Sequence, residues 1–310
     1  MIGKSSNTTK MESEYIMSKL LVLNPTFSRK LKCGDYIILS TKSEPIVVDE
    51  DIVTVLSSGV LNSEIYDQEF INTLTETGFI QSIESENFDF SEENVAKKWT
   101  TLRKGILIVG FISLISIIVS TFFFGIPIGS KLISKDTNIW VNILFIILFS
   151  IVTTSIHEVM HMLFANSWKK TKGGLKLNFK KATATVAMSH IWVWSFLGRI
   201  TAISAGVIFD LFLLSILTYS QFWLNSWVLP VSCSILWIRI LWQLRFHKKS
   251  DGQFLISMVI DDPFIEFSSK ASNSQNPFLS KIRLIGYFVT FILVFLWFIP
   301  FVHSVINIVH

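Results

Sequence analysis

The run Ile139–His161 reads IWVNILFIILFSIVTTSIHEVMH. From Ile139 to Ile156 it is apolar almost throughout, and it closes on His157-Glu158-Val159-Met160-His161. A helix needs about 20 such residues to cross a bilayer. On a helix, positions i and i+4 share one face. Both imidazoles can therefore reach one Zn²⁺, and Glu158, one residue round the turn, can take a proton from a water held there. A His-Glu pair at membrane depth is costly without a function. The plainer alternative is two interfacial histidines flanking a surface glutamate. A candidate third ligand much further along the chain weighs against it.

Half of the 310 residues are hydrophobic, and the mean hydropathy is +0.52. That is the composition of a membrane protein. The apolar residues are unevenly spread. Residues 1–100 are polar and read as a small soluble domain, whereas 105–310 carry several bilayer-length runs. The first long run begins near Gly105, so no N-terminal signal peptide is expected. The net charge of +4 is modest. Its lysines and arginines flank apolar segments, which suits membrane topology and argues against nucleic-acid binding. Cys33 and Cys233 have no metal-type spacing, and no disulfide between them is expected.

Residues 1–18 are polar and expected to be mobile. Strand-like pieces follow at Leu20–Leu23, Tyr36–Ser40 and Pro45–Val48, separated by turn residues such as Asn24-Pro25 and Gly34-Asp35. A helix capped by Asp49 or Asp51 carries Ile52, Val53, Val55 and Leu56 and stops at Gly59. A second carries Phe70, Ile71 and Leu74. The order is β-β-β-α-α, with a short helical turn around Ser63–Tyr66. Residues 83–104 read as a linker, acidic at first and ending in Lys97, Lys98, Arg103 and Lys104.

Five spans are expected, at about 105–128, 139–165, 196–224, 226–246 and 284–309. Basic residues precede the first. Lys169, Lys170, Lys172, Lys176, Lys180 and Lys181 follow the second, Arg245, His247, Lys248 and Lys249 follow the fourth, and Lys281 and Arg283 precede the fifth. The positive-inside rule then places the N-terminal domain in the cytoplasm of a multi-pass cell-membrane protein, with Lys131 and Lys135 in an outer loop. Residues 174–194 alternate and read as strands. Trp192, Trp194, Trp223 and Trp227 read as interfacial anchors, and Arg239 as a residue that snorkels. Asp261 and Asp262 read as solvated loop, and His247 as interfacial. His303 and His310 fall toward the opposite face. The fold class is thus a mainly α membrane protein of about five transmembrane helices with a small β region, which the resemblances given below imply is a hairpin, preceded by a small α+β domain that they imply is winged-helix-like.

A catalytic zinc takes a third protein ligand and keeps a position open for water. Ser250-Asp251-Gly252 follows the fourth expected span, on the same side as His157 and His161, so Asp251 can meet them.

Here the chain resembles the site-2 proteases, intramembrane zinc metallopeptidases, and among them the peptide zinc metalloprotease branch. His157-Glu158-x-x-His161 on one span, Ala205-Gly206 on the next core span and the late Asp251-Gly252 carry the resemblance, which covers about 139–265. It implies one Zn²⁺ on His157, His161 and Asp251, Glu158 as general base, and a membrane-associated β-hairpin at 174–194 that offers an edge to unwound substrate. Two positions depart from the family. Val207 stands where it often has Pro, and Asp210 where it often has Asn. An asparagine can donate a hydrogen bond to a substrate carbonyl, and an ionised aspartate cannot. For Asp210, an oxyanion or substrate-binding role, protonation and pairing with Arg199 all stay open. His190 stays open between a substrate-binding or catalytic role and a structural one.

Residues 19–82 resemble the PqqD-like winged-helix domains known as RiPP recognition elements. The strand–turn–strand leading into Val47-Val48-Asp49, the helix ending at Ser58-Gly59, and the closing Leu74, Glu76, Gly78 and Ile80 carry this resemblance. It implies that a precursor peptide is held by its leader through β-augmentation. The alternative is a small domain used for subunit contact. A DNA-binding role is disfavoured by the frequent acids and the lack of a basic helix face.

Together the two resemblances imply an endopeptidase that cleaves a small ribosomally synthesised peptide in leader removal, maturation or export. Its partners would be the precursor peptide, the lipid bilayer, and an ABC exporter or maturation enzymes. Two rivals remain: a regulatory site-2 protease cutting a membrane-anchored protein, and a non-catalytic peptide-binding export or immunity protein.

Overall fold

The structure, a computed structural model, describes residues 20–40, 45–81, 90–92, 97–167, 175–178, 183–186, 188–246, 250–265 and 277–309. The expected mobile N-terminus, most of the acidic linker, Lys169, Lys170, Lys172, Lys180, Lys181, His247, Lys248, Lys249 and His310 lie outside the described residues. The chain divides into two units, Met1–Glu92 with Met188–Ser195, and Glu93–Ala187 with Phe196–His310.

In the first unit, β2 (Thr26–Lys30), β3 (Tyr36–Ser40) and β4 (Ile46–Val48) form an antiparallel meander, and β1 (Leu20–Val22) pairs with β5 (Val60–Asn62). Helix α1 (Glu50–Ser57) starts where the Asp49 carboxylate accepts from the Ile52 N–H at 3.0 Å, and the chain leaves it through Gly59 at φ +77°. Helix α2 (Gln68–Glu76) is capped by Asp67 in the same way. Their apolar faces close over Leu23, Ile38, Leu61 and Phe79, with Leu56 and Leu74 supplied by the helices themselves. Two strands were not expected. Thr26–Lys30 has one apolar residue, Phe27, and so no period-2 signal; pairing with β3, from Thr26 opposite Ser40 to Lys30 opposite Tyr36, makes it a strand. Val60–Asn62 is too short to read alone. Ser63–Tyr66 is a turn rather than a helical turn.

The alternating stretch 174–194 also resolves differently. Strands β6 (Leu175–Asn178) and β7 (Thr183–Val186) form a hairpin, but Ser189–Val193 is a 3₁₀ turn that belongs to the first unit. Ile191, Trp192 and Trp194 are buried there. The Trp194 Nε1–H donates to the Phe90 carbonyl at 2.9 Å, Arg29 donates to the Trp192 carbonyl at 2.8 Å, and Ser195 donates twice to the Glu92 carboxylate. Trp192 and Trp194 are therefore core residues of the first unit and not interfacial anchors; Trp194 has the His190 ring edge-on and a backbone acceptor within reach.

In the second unit, α3 (Lys97–Phe124), α4 (Ile139–Ala165), α5 (Phe196–Ser220) and the stretch Pro277–Asn307 are long and apolar enough to cross a bilayer. The last comprises α8 (Pro277–Leu293), a π-helical turn Val294–Phe298 and α9 (Ile299–Val309). Large apolar side chains such as Phe111, Phe122, Ile151 and Phe291 point outward, as lipid-facing residues do. The chain is a membrane protein.

The expected span at 226–246 is instead α6 (Val228–Gln243), 16 residues and so about 24 Å long, short of the ~30 Å hydrocarbon core. Its apolar sequence runs on, but the chain turns at Leu244 and Phe246 into α7 (Asp251–Ile260). Helix α5 is the hub, packed against α3, α4, α6 and α7.

Trp194→Ala removes a large side chain that is 1% exposed and strands the Phe90 carbonyl. It is expected to destabilise the first unit by about 3–5 kcal/mol, read as faster amide exchange in β2 and β3. Trp223→Ala, at a 79% exposed residue, is expected to leave that exchange unchanged.

Candidate metal centre

Helix α4 carries His157 and His161 one turn apart, both buried. Helix α5 runs antiparallel beside it and presents Ala202, Gly206 and Asp210, also spaced by four, along one stripe. The two stripes meet in register. At one end the His161 Nδ1–H donates to the Ala202 carbonyl at 2.9 Å. At the other the His157 Nδ1–H donates to Asp210 Oδ2 at 2.9 Å. Between them lies Gly206, where a Cβ would stand 2.5 Å from His161 Nε2 and 2.6 Å from His157 Nε2.

The third side chain arrives from α7. Ser250 caps that helix and donates to the Gln243 carbonyl at 2.9 Å, while the Asp251 N–H donates to Gln243 Oε1. Gly252 abuts the end of α6 so closely that a Cβ would fall 2.2 Å from the Gln243 carbonyl oxygen. The Asp-Gly pair is thus explained by packing: the glycine admits α7, and the aspartate is its first residue. The far end of α7 is fastened by a buried pair, Arg199 Nη1 to Asp261 Oδ1 at 2.6 Å. Asp261 is therefore not a solvated loop residue, and Arg199 is not the partner of Asp210.

Asp251 Oδ2 lies 3.1 Å from His157 Nε2 and 3.2 Å from His161 Nε2, which are 3.1 Å from each other. The protons of this triangle can be counted. The Ala202 carbonyl can only accept, so His161 carries its proton on Nδ1. The Asp210 carboxylate likewise takes the proton of His157 Nδ1. With both rings neutral, both Nε2 atoms offer lone pairs, and a carboxylate oxygen joins them. Three acceptors this close repel one another unless a proton or a cation sits among them.

Two imidazoles and a carboxylate are a donor set for a divalent ion such as zinc. Ligand distances of about 2.0–2.1 Å in a tetrahedron require donors ~3.3 Å apart, near the observed separations. His157, His161 and Asp251 are the grouping of this kind among the described residues. Glu158 is half-buried on the turn of His157, and among the described residues it has no hydrogen-bond or ion-pair partner.

Both Asp210 oxygens are engaged. Oδ2 accepts from His157 and from Arg239 Nε at 2.8 Å, and Oδ1 accepts from Arg239 Nη2. Asp210 thus stands behind a ligand. Arg239 is only 14% exposed and does not snorkel. Sequence reading underrated it, although an arginine inside the apolar run of α6 was itself the signal. His190 is placed in the first unit, buried, stacked on Phe90 and edge-on to Trp194. His303 bonds to Asn307 on α9.

Comparison of the chain with protein-family models, with curated proteins and with solved structures finds no match in any of the three. The functional reading stands on the geometry alone.

Gly206→Ala places a methyl group against both Nε2 atoms. Its expected effect is loss of metal uptake by at least about 10–100-fold, measured by competition with a chromophoric chelator. Ala205→Gly beside it is expected to change uptake little.

Proposed function

We propose that this chain is an intramembrane zinc endopeptidase of the site-2 type, and that its substrate is a small ribosomally synthesised peptide. The observation that carries the reading is the convergence of His157 Nε2, His161 Nε2 and Asp251 Oδ2 beside Glu158. Zinc held by those three side chains would supply Lewis acidity toward a peptide carbonyl and make water acidic enough to attack at neutral pH.

The chain's own residues do the rest. Glu158 accepts the proton of the attacking water and returns it to the leaving amine. Ala202 and Asp210 hold the imidazoles in the tautomer that leaves Nε2 free. The walls of α4, α5 and α6 keep lipid away from the charges, as a polar site at membrane depth requires. Hairpin β6–β7 lies in the stretch that joins α4 to α5, and a strand edge there can take up an extended peptide. In this reading the first unit, with its small meander and two capped helices, grips the peptide's leader on the cytoplasmic side.

The test uses full-length protein purified in detergent. About one zinc per chain is expected, as a mononuclear site takes, with loss in His157→Ala and in Asp251→Ala. A mixed synthetic peptide library is then incubated with the loaded protein and read by mass spectrometry. Cleavage is expected in wild type and absent in Glu158→Gln, which keeps its zinc. Cleavage that survives Glu158→Gln, or a wild type that takes up no zinc after replenishment, would sink the reading. Zinc bound without cleavage of any peptide would favour the non-catalytic binding protein.

A further inference from the structure

Arg239 sits one turn from the C-terminal end of α6, a mostly apolar helix, and its guanidinium is committed on three sides. Nε and Nη2 hold the two oxygens of Asp210, and Nη1 donates to Thr153 at 2.8 Å and to Thr154 at 3.2 Å on α4. Those threonines lie on the turn that precedes His157. Asp210 is fully buried, and a carboxylate there needs a partner. Arg199, buried on α5, holds Asp261.

We propose that Arg239 is a positioning residue for the metal centre: its fork fixes the plane of the Asp210 carboxylate, which in turn aims His157 Nε2 at the metal. The inference rests on the metal reading above. The sequence of contacts runs from guanidinium to carboxylate to Nδ1–H, so the ring can neither flip nor tilt without breaking a charge-assisted bond. A carboxylate on the remote nitrogen also strengthens the imidazole as a ligand. Arg239 removes the penalty that such a carboxylate would carry if buried alone. A lysine would bring the charge without the two-point hold. Because Nη1 reaches α4 at the same level, one side chain ties α4, α5 and α6 together where the ligand is made.

The test compares zinc affinity by chelator competition, the visible spectrum of the Co²⁺ form, and thermal unfolding, all on full-length protein. Arg239→Met is expected to weaken zinc by about 10–100-fold and to shift the Co²⁺ bands. Asp210→Asn/Arg239→Met leaves no charge behind His157 and keeps an amide oxygen for its Nδ1–H; it is expected to return to within about tenfold of wild type. A residue that merely braced Thr153 and Thr154 would show no such recovery.

Wild-type affinity and spectrum in Arg239→Met, or a double variant as weak as the single, overturns the proposal. If Arg239→Met does not fold, Arg239→Lys decides. A Co²⁺ spectrum that differs from wild type supports the fork, and an unchanged one rejects it. These outcomes are read only against a wild type that loads metal through His157. A wild type that does not load it overturns the metal reading, and this proposal with it.

Discussion

The site depends on how closely α4 and α5 approach at Gly206. Any side chain there would occupy the space in front of both Nε2 atoms, and the helices would have to part. Parting them would break the Ala202 and Asp210 bonds that fix the two tautomers. Loss of that fixing would leave the imidazoles free to present N–H rather than lone pairs. A single close approach thus underlies both the orientation of the rings and their tautomers.

The charges of the second unit follow a simple pattern. Two carboxylates are matched to arginines, Asp210 to Arg239 and Asp261 to Arg199. Buried pairs of this kind add little net stability, since desolvation offsets their attraction, but they hold elements in register. Here they set the level of α5 against α6 and α7. Among the described residues Asp251 and Glu158 have no such guanidinium, and both lie beside the histidines. A dication held there would be balanced by their charge.

Much of this was legible in the sequence because the signals were local. His157 and His161 share a helix face by spacing alone, α4 matches its expected bounds, and Asp49 caps α1 as its position before an apolar run suggests. What escaped was set by distant partners. Thr26–Lys30 is a strand only because β3 lies beside it. Residues 226–246 are mostly apolar, and hydropathy does not record that the chain turns at Leu244 so that Ser250 can reach Gln243. Asp261 and Arg239 each have a partner tens of residues away, so neither could be assigned one. Trp192 and Trp194 looked like bilayer anchors because an amphipathic ring suits an interface and a small core equally well.

The first unit is discontinuous: Met188–Ser195 returns to it from between the hairpin and α5. It is therefore not a cassette. A fusion or exchange that cut the chain after Glu92 would take the sheet but abandon Ile191, Trp192 and Trp194, leaving an exposed apolar face on one fragment and orphaned tryptophans on the other.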